Sequence, residues 1–296
     1  MLSRHIENIQ NLSQQISHPT RMMEICGTHT MVAFRSGLRS ILPQSIMLLS
    51  GPGCPVCVTP NEYVDRAIAI SRLKEVTIAT FGDMLRVPGT DSSLELERAR
   101  GANVLIVYSP MDALIEAQNN PHRKIVFLGV GFETTTPTVA WTIKQAALNK
   151  IMNFSVLGSH KTIPHAMKVL LKSGELKING FLCPGHVSAI IGARPYQFIP
   201  RDFHVPCVIT GFEPMDMILG VEMLLQQIVH QQAKVEIQYT RGVDELGNAS
   251  AQRIMEEVFE ESDCEWRGLG FIAKSGLAMR KAFRDHDAHF LFSNLL

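Results

Sequence analysis

VLIVYSPMDAL, residues 104–114, returns as VITGFEPMDMI at residues 208–218. In both stretches an apolar run of strand character passes through Pro-Met-Asp, at Pro110–Asp112 and Pro214–Asp216, into residues of helical spacing. Two strand-to-helix passages of one design, about 104 residues apart, indicate an internal duplication. Three further pairs fall in the same order at nearly the same offset. Thr80-Phe81-Gly82-Asp83 matches Cys183-Pro184-Gly185-His186, residues 47–53 match 154–158, and residues 26–30 match 131–135. One such match can arise by chance; four in one order are hard to dismiss.

Elsewhere Ile- and Val-rich runs alternate with helical patterns, the signature of α/β units on a parallel sheet. The expected fold class is therefore α/β: two duplicated open parallel-sheet (Rossmann-like) halves facing a central cleft, with an N-terminal amphipathic helix. Leu2, Ile6, Ile9, Leu12 and Ile16 supply the apolar face of that helix. The expected organisation is 1–122 as the first half and 123–232 as the second. Residues 233–296 form a strand, a helix and a strand packing back on the first. Asn119-Asn120-Pro121-His122 reads as the linking turn.

Composition narrows the function. Of 296 residues, 46% are apolar, enough for a sizeable core. Lys plus Arg and Asp plus Glu balance at 28 each, so no basic excess points to nucleic acid. No apolar run is long enough to span a membrane, and the first residues do not read as a signal peptide. The expected compartment is the cytoplasm, where six cysteines stay mostly reduced and serve as ligands, redox groups or core fillers.

Chemistry concentrates in two glycine-marked loops, each after an apolar strand. Cys26-Gly27-Thr28-His29-Thr30 follows residues 22–25, and Gly51-Pro52-Gly53-Cys54-Pro55-Val56-Cys57 follows residues 46–49. Ligands in open parallel sheets collect at such strand exits. Cys26 precedes a helix expected over 31–40, whose dipole and unpaired N–H groups favour a thiolate. His29, three residues on, is a second ligand or a proton partner. The alternative is a small buried Cys beside a structural His. Cys54 and Cys57 make a C-x-x-C ahead of a helix begun by Pro60 and Asn61, suited to a reversible disulfide or to metal. No second C-x-x-C exists to complete a four-cysteine zinc site.

The second half offers Glu133, a cleft carboxylate or a helix-capping acid, His160, His186 in the turn Pro184-Gly185-His186, and Glu213. Gly129-Val130-Gly131 resembles a dinucleotide fingerprint but lacks its third glycine. Cys183 and Cys207 read as core fillers, Cys264 as a bystander in an acidic loop, and the Met-rich helix near 215–225 as core.

These motifs together resemble the HypD family of hydrogenase maturation factors. The resemblance rests on residues 26–30 and 51–57, Phe81-Gly82-Asp83, Arg86-Val87-Pro88-Gly89, residues 108–112, 131–135 and 184–188, Gly211-Phe212-Glu213-Pro214 and residues 265–270, and it covers nearly the whole chain. It implies an assembly scaffold with redox-active thiols rather than a conventional turnover enzyme. With a HypC-like small chaperone, such a scaffold holds the iron that becomes the Fe(CN)2CO group of [NiFe] hydrogenase; a HypE-like protein donates the cyanide. It implies Cys26 as iron ligand with His29 beside it, and Cys54 and Cys57 as a redox pair; Glu133 and His186 are expected as further catalytic groups from their places at strand exits. The family also carries a [4Fe-4S] cluster on a cysteine-rich segment beyond the position of Phe290, and Cys183, Cys207 and Cys264 do not match its ligands. The expectation is thus a short form without those ligands. Two other classes compete: a thiol–disulfide oxidoreductase using Cys54 and Cys57, for which Cys26 is dispensable, and a nucleotide-binding protein, which needs a phosphate cradle.

Overall fold

Eleven strands form two sheets in the computed structural model, which describes residues 2–295. They are β1 (Thr20–Glu24), β2 (Ile46–Ser50), β3 (Val76–Thr80), β4 (Val104–Ile106), β5 (Lys124–Gly131) and β6 (Phe154–Lys161). The chain continues through β7 (Gly180–Pro184), β8 (Cys207–Thr210), β9 (Val235–Ile237), β10 (Phe259–Trp266) and β11 (Gly270–Met279). The fold is α/β with predominantly parallel sheets, as the sequence predicts.

Each sheet belongs to a separate compact unit. The first unit runs up to Cys54 and resumes over Ile163–Ala249; the second comprises Pro55–Thr162 and the chain from Ser250 onward. The first sheet has the order β2-β1-β7-β8-β9 and is parallel throughout. The second has the order β10-β11-β6-β5-β3-β4; its β3–β6 core is parallel, and the β10–β11 hairpin joins β6 antiparallel.

The strand orders are consistent with the expected duplication only if its halves are exchanged. Matching β1, β2, β7 and β8 with β5, β6, β3 and β4 turns β2-β1-β7-β8 into β6-β5-β3-β4. Even one register carries over: Leu182 pairs with Val208 as Ile78 pairs with Val104. Each sheet thus takes two strands from each repeat. The expected boundaries at 122 and 232 therefore do not coincide with the units, because β1 pairs with β7 (Met22 opposite Gly180) instead of with β3. The segment 233–296 also divides. β9 extends the first sheet beside β8, while β10 and β11 close on β6 in the second. The strand β10, over Phe259–Trp266, has no counterpart in the sequence reading.

Pro-Met-Asp has the same structural purpose in both copies. Pro110 and Pro214 take a first-turn position, where no N–H is needed. Asp112 accepts from the Ser109 N–H at 2.9 Å, and Asp216 from the Glu213 N–H at 3.1 Å, closing a capping box in each helix.

Central strands are apolar on both faces because helices cover both sides. On β5, Val126 and Leu128 pack into one cluster with Ile78, Val64 and Ile68, while Ile125 and Phe127 pack into another with Phe154, Val139 and Ile143. The period of two along a strand accounts for the division. In the first unit, the amphipathic helix α1 (Leu2–Gln14) buries Ile9 against the helix Pro214–Val229, with Leu12 and Ile16 at the edge of the same cluster. Since the first sheet is parallel, the exits of β1, β2, β7 and β8 all lie along its carboxyl edge.

Candidate functional site at the carboxyl edge of the first sheet

Cys26 is the N-cap of α2 (Gly27–Arg35), in an extended conformation with φ −157° and ψ 127°. Its side chain makes no capping hydrogen bond. The predicted helix over 31–40 is really two pieces, α2 and a short turn at Leu38–Ile41, broken at Gly37 with φ +66°. The Gly51-Pro52-Gly53 turn lies on the backbone at this exit. The Gly51 N–H donates to the Glu24 carbonyl at 2.8 Å, and the Gly27 N–H to the Gly53 carbonyl at 3.0 Å. A Cβ on Gly53 would stand 2.4 Å from both N and Cα of Cys26. Only glycine permits that approach, and it brings the two predicted loops together: a Cβ on Gly27 would lie 3.8 Å from Cβ of Cys54.

His29 lies one turn into α2 and is fully buried. Its Nε2 is 3.0 Å from the Gly211 carbonyl and 3.3 Å from that of Thr210. Carbonyls accept only, so the proton is assigned to Nε2. Nδ1 is then a bare lone pair, buried and without a hydrogen-bond partner. Burial lowers the imidazole to about 4, outweighing the two carbonyl contacts, so the ring is neutral near pH 7. Phe212 is stacked between two histidines, His29 at 4.9 Å and His186 at 3.7 Å between ring centroids. His186 is exposed at the first turn of the helix Gly185–Ile191, and loss of hydration against Phe212 lowers its pKa.

Two charged residues that the sequence reading did not count among the site candidates shape the same edge. Glu24, two residues before Cys26, is wholly buried. Thr30 Oγ1 donates to its Oε2 at 2.7 Å, Arg39 stands 3.6 Å away, and Oε1 has no partner. Burial raises its pKa against both contacts. Its signal was available: an acid inside the apolar run Met22-Met23-Glu24-Ile25 must have a reason to be buried. Asp216 is buried too. Burial pushes its carboxyl up, but hydrogen bonds from Arg241 and Gln238 prevail and hold it at about 2.

The boundary between the units falls directly after Cys54, so Cys57 belongs to the second unit. It is exposed in the turn 55–58, ahead of the helix Asn61–Ser71. Glu133 also belongs to the second unit, buried at the exit of β5, two residues before Thr135, the N-cap of the helix Thr136–Leu148. Gly129 and Gly131 lie within β5 itself and form no phosphate turn. A Cβ on Gly129 would meet Cε1 of His160 at 2.9 Å, so this glycine makes room for a neighbouring ring.

Cys183 and Cys207 are buried on adjacent strands, and burial, then proximity to Cys183, pushes the Cys207 thiol up. Cys264 is no loop bystander: it sits on β10, 3.0 Å from Lys161 Nζ. Among the described residues no three His, Cys, Asp or Glu side chains converge in metal-holding geometry. The described cysteines therefore do not fit a cubane cluster, which takes about four thiolates at one place.

Comparison with known proteins adds the following. A family model described as "HypD: Hydrogenase formation hypA family" matches residues 1–295. The hydrogenase maturation factor HypD of Escherichia coli K12 is 47% identical over 287 residues, covering 96% of this chain and 77% of that protein. HypD of Rhodobacter capsulatus is 46% identical over 288 residues, covering 96% and 76%. The hydrogenase expression/formation protein HupD of Azotobacter chroococcum is 45% identical over 280 residues, covering 92% and 74%.

Proposed function

The chain belongs to the HypD family of hydrogenase maturation factors, and from that premise we propose that Cys26 is the thiolate on which an iron ion is held while diatomic ligands are added to it. The iron is cargo, received and passed on. The observation that carries this reading is the Cys26 side chain, left uncapped at the exit of an interior strand with the Gly53 turn packed on its backbone. A soft thiolate suits low-valent iron carrying cyanide and carbon monoxide. The buried lone pair on Nδ1 of His29, three residues on, supports this imidazole as the companion ligand.

Cys54 and Cys57 form the redox pair of this reading. A Cys54–Cys57 disulfide is opened by exchange with an external dithiol, which leaves as its own disulfide while the pair takes up two electrons and two protons as two thiols; the reverse exchange with a disulfide closes it again. His186, exposed and stacked on Phe212, and Glu133, buried at the exit of β5, serve as proton carriers. The partners are a HypC-like small chaperone that shares the iron and a HypE-like cyanide donor. The setting is the cytoplasm; among the described residues no helix is long and apolar enough to cross a membrane. No step runs through a [4Fe-4S] cluster, since the described cysteines do not fit one.

The test is iron content after anaerobic co-purification with the small chaperone. Cys26→Ala should retain less than a tenth of the wild-type iron while Cys207→Ala retains all of it. Equal iron in Cys26→Ala and wild type would remove the ligand role. A simple thiol–disulfide oxidoreductase would lose activity with Cys54→Ala and be indifferent to Cys26→Ala.

A further inference from the structure

By the duplication, the second sheet has a carboxyl edge of its own, and a cavity of about 450 Å³ opens there beside the last residues of β6. Its most unusual member is Lys161, whose side chain is fully buried. The Nζ donates to Cys264 Sγ at 3.0 Å and Ser159 Oγ at 3.4 Å, and lies 5.7 Å from the centroid of the Trp266 ring. Among the described residues no carboxylate stands within ion-pairing distance of it. Next along the strand, His160 is 1% exposed, and neither of its ring nitrogens has a partner. Burial, reinforced by the nearby Lys161 charge, lowers this imidazole to about 3, so it borders the cavity as a neutral ring with one N–H and one lone pair. A buried ammonium without a counter-ion and a buried ring without a hydrogen bond are each costly alone. Here they are adjacent and line the same cavity.

We infer that this cavity binds a small organic anion, whose carboxylate or phosphoryl oxygens take the Lys161 ammonium and the His160 N–H. Arg66 supplies a second cation on the lining. Its Nη1 donates to His289 Nδ1 at 3.0 Å, and His289 Nε2 donates in turn to the Gly158 carbonyl at 2.9 Å, so the guanidinium is held in place. The acids of the lining do not cancel these charges. Asp263 accepts from the Lys274 N–H and Asp287 from the His289 N–H, each at 2.9 Å, while Glu62 and Glu265 are exposed. The volume suits a small metabolite rather than a lone inorganic ion. The site lies wholly within the second unit and needs neither Cys26 nor iron.

Cys264 provides the readout. The full chain, kept reduced with a phosphine, is alkylated with iodoacetate or with iodoacetamide, and the rate at each cysteine is followed by peptide mass spectrometry. Exposed Cys57 is the internal reference. The ratio of iodoacetate to iodoacetamide rates should be about 10-fold higher at Cys264 than at Cys57, since the anionic reagent concentrates in a cationic cavity. Lys161→Met, which keeps the packing, should reduce that ratio to the Cys57 value, while Lys161→Arg retains it. Arg66→Gln, on the lining, lowers it in part and serves if Lys161→Met does not fold. Millimolar acetate or inorganic phosphate should slow Cys264 alone, and the more effective of the two identifies the head group. Equal ratios at Cys264 and Cys57 in the wild type, or protection by neither anion, would overturn the assignment.

Discussion

Gly53 packs against the backbone of Cys26 so closely that a Cβ at position 53 would stand 2.4 Å from both N and Cα of the cysteine. The Gly-Pro-Gly-Cys turn is thus built around the exit of β1, and the cysteine of one loop is held by the glycine of the other.

Gly53→Ala should therefore disturb Cys26 without touching its sulfur. The added methyl meets backbone, which cannot rotate away, and overpacking of this kind costs about 1–3 kcal/mol. A lower thermal midpoint together with loss of iron from the chaperone complex is the expected result. Unchanged iron content would show that the turn does not hold Cys26 in place.

The exchanged repeat makes a prediction about fragments. Residues 1–122 carry β1 to β4, two strands from each sheet, and should not fold when expressed alone. Co-expression with residues 123–296 should restore both sheets. A dispersed amide NMR spectrum from fragment 1–122 alone would mean that β1 and β2 can pair with β3 and β4 after all.

Asp112 and Asp216 occupy the same place in the duplicated motif and should differ in consequence. Asp112 is exposed, and Asp112→Ala should cost about 1 kcal/mol, the ordinary value of a cap. Asp216 is buried, and Asp216→Ala removes the cap together with the hydrogen bonds from Gln238 and the exposed Arg241, so it should cost more, about 2–3 kcal/mol. Urea titrations of the two variants would decide; equal losses would refute the distinction.

His29 ties the stability of the first unit to pH. Its folded pKa of about 4 lies below the ordinary imidazole value of 6.5, so the unfolded chain binds more protons between those values. The contribution is complete above about pH 6.5 and is lost as pH falls toward 4, amounting to at most about 3 kcal/mol. Ring NMR should find His29 neutral, with its proton on Nε2, down to pH 5. Titration near 6.5 would contradict the buried environment.

Much of this was legible in the sequence, for identifiable reasons. Pro-Met-Asp marked two helix starts because its proline and aspartate do local work that any fold would need. The loops of Cys26 and Cys54 were legible because glycines announce close approaches. The exchange of strand pairs was not: β3 and β7 are both buried apolar strands, and either could lie beside β1 on local pattern alone. Lys161 was likewise invisible, since a lysine beside a histidine at a strand end reads as solvated, and only the β10–β11 hairpin buries it. Glu133 was legible as a strand-exit acid, since it follows closely on β5.

The central claim is that Cys26 holds iron while its diatomic ligands are installed. Infrared spectroscopy of the anaerobically co-purified complex with the HypC-like chaperone tests it most directly. The wild type should show cyanide and carbonyl stretching bands of bound iron, kept in Cys207→Ala and absent in Cys26→Ala with the fold intact by circular dichroism. The same bands at full intensity in Cys26→Ala would contradict the account.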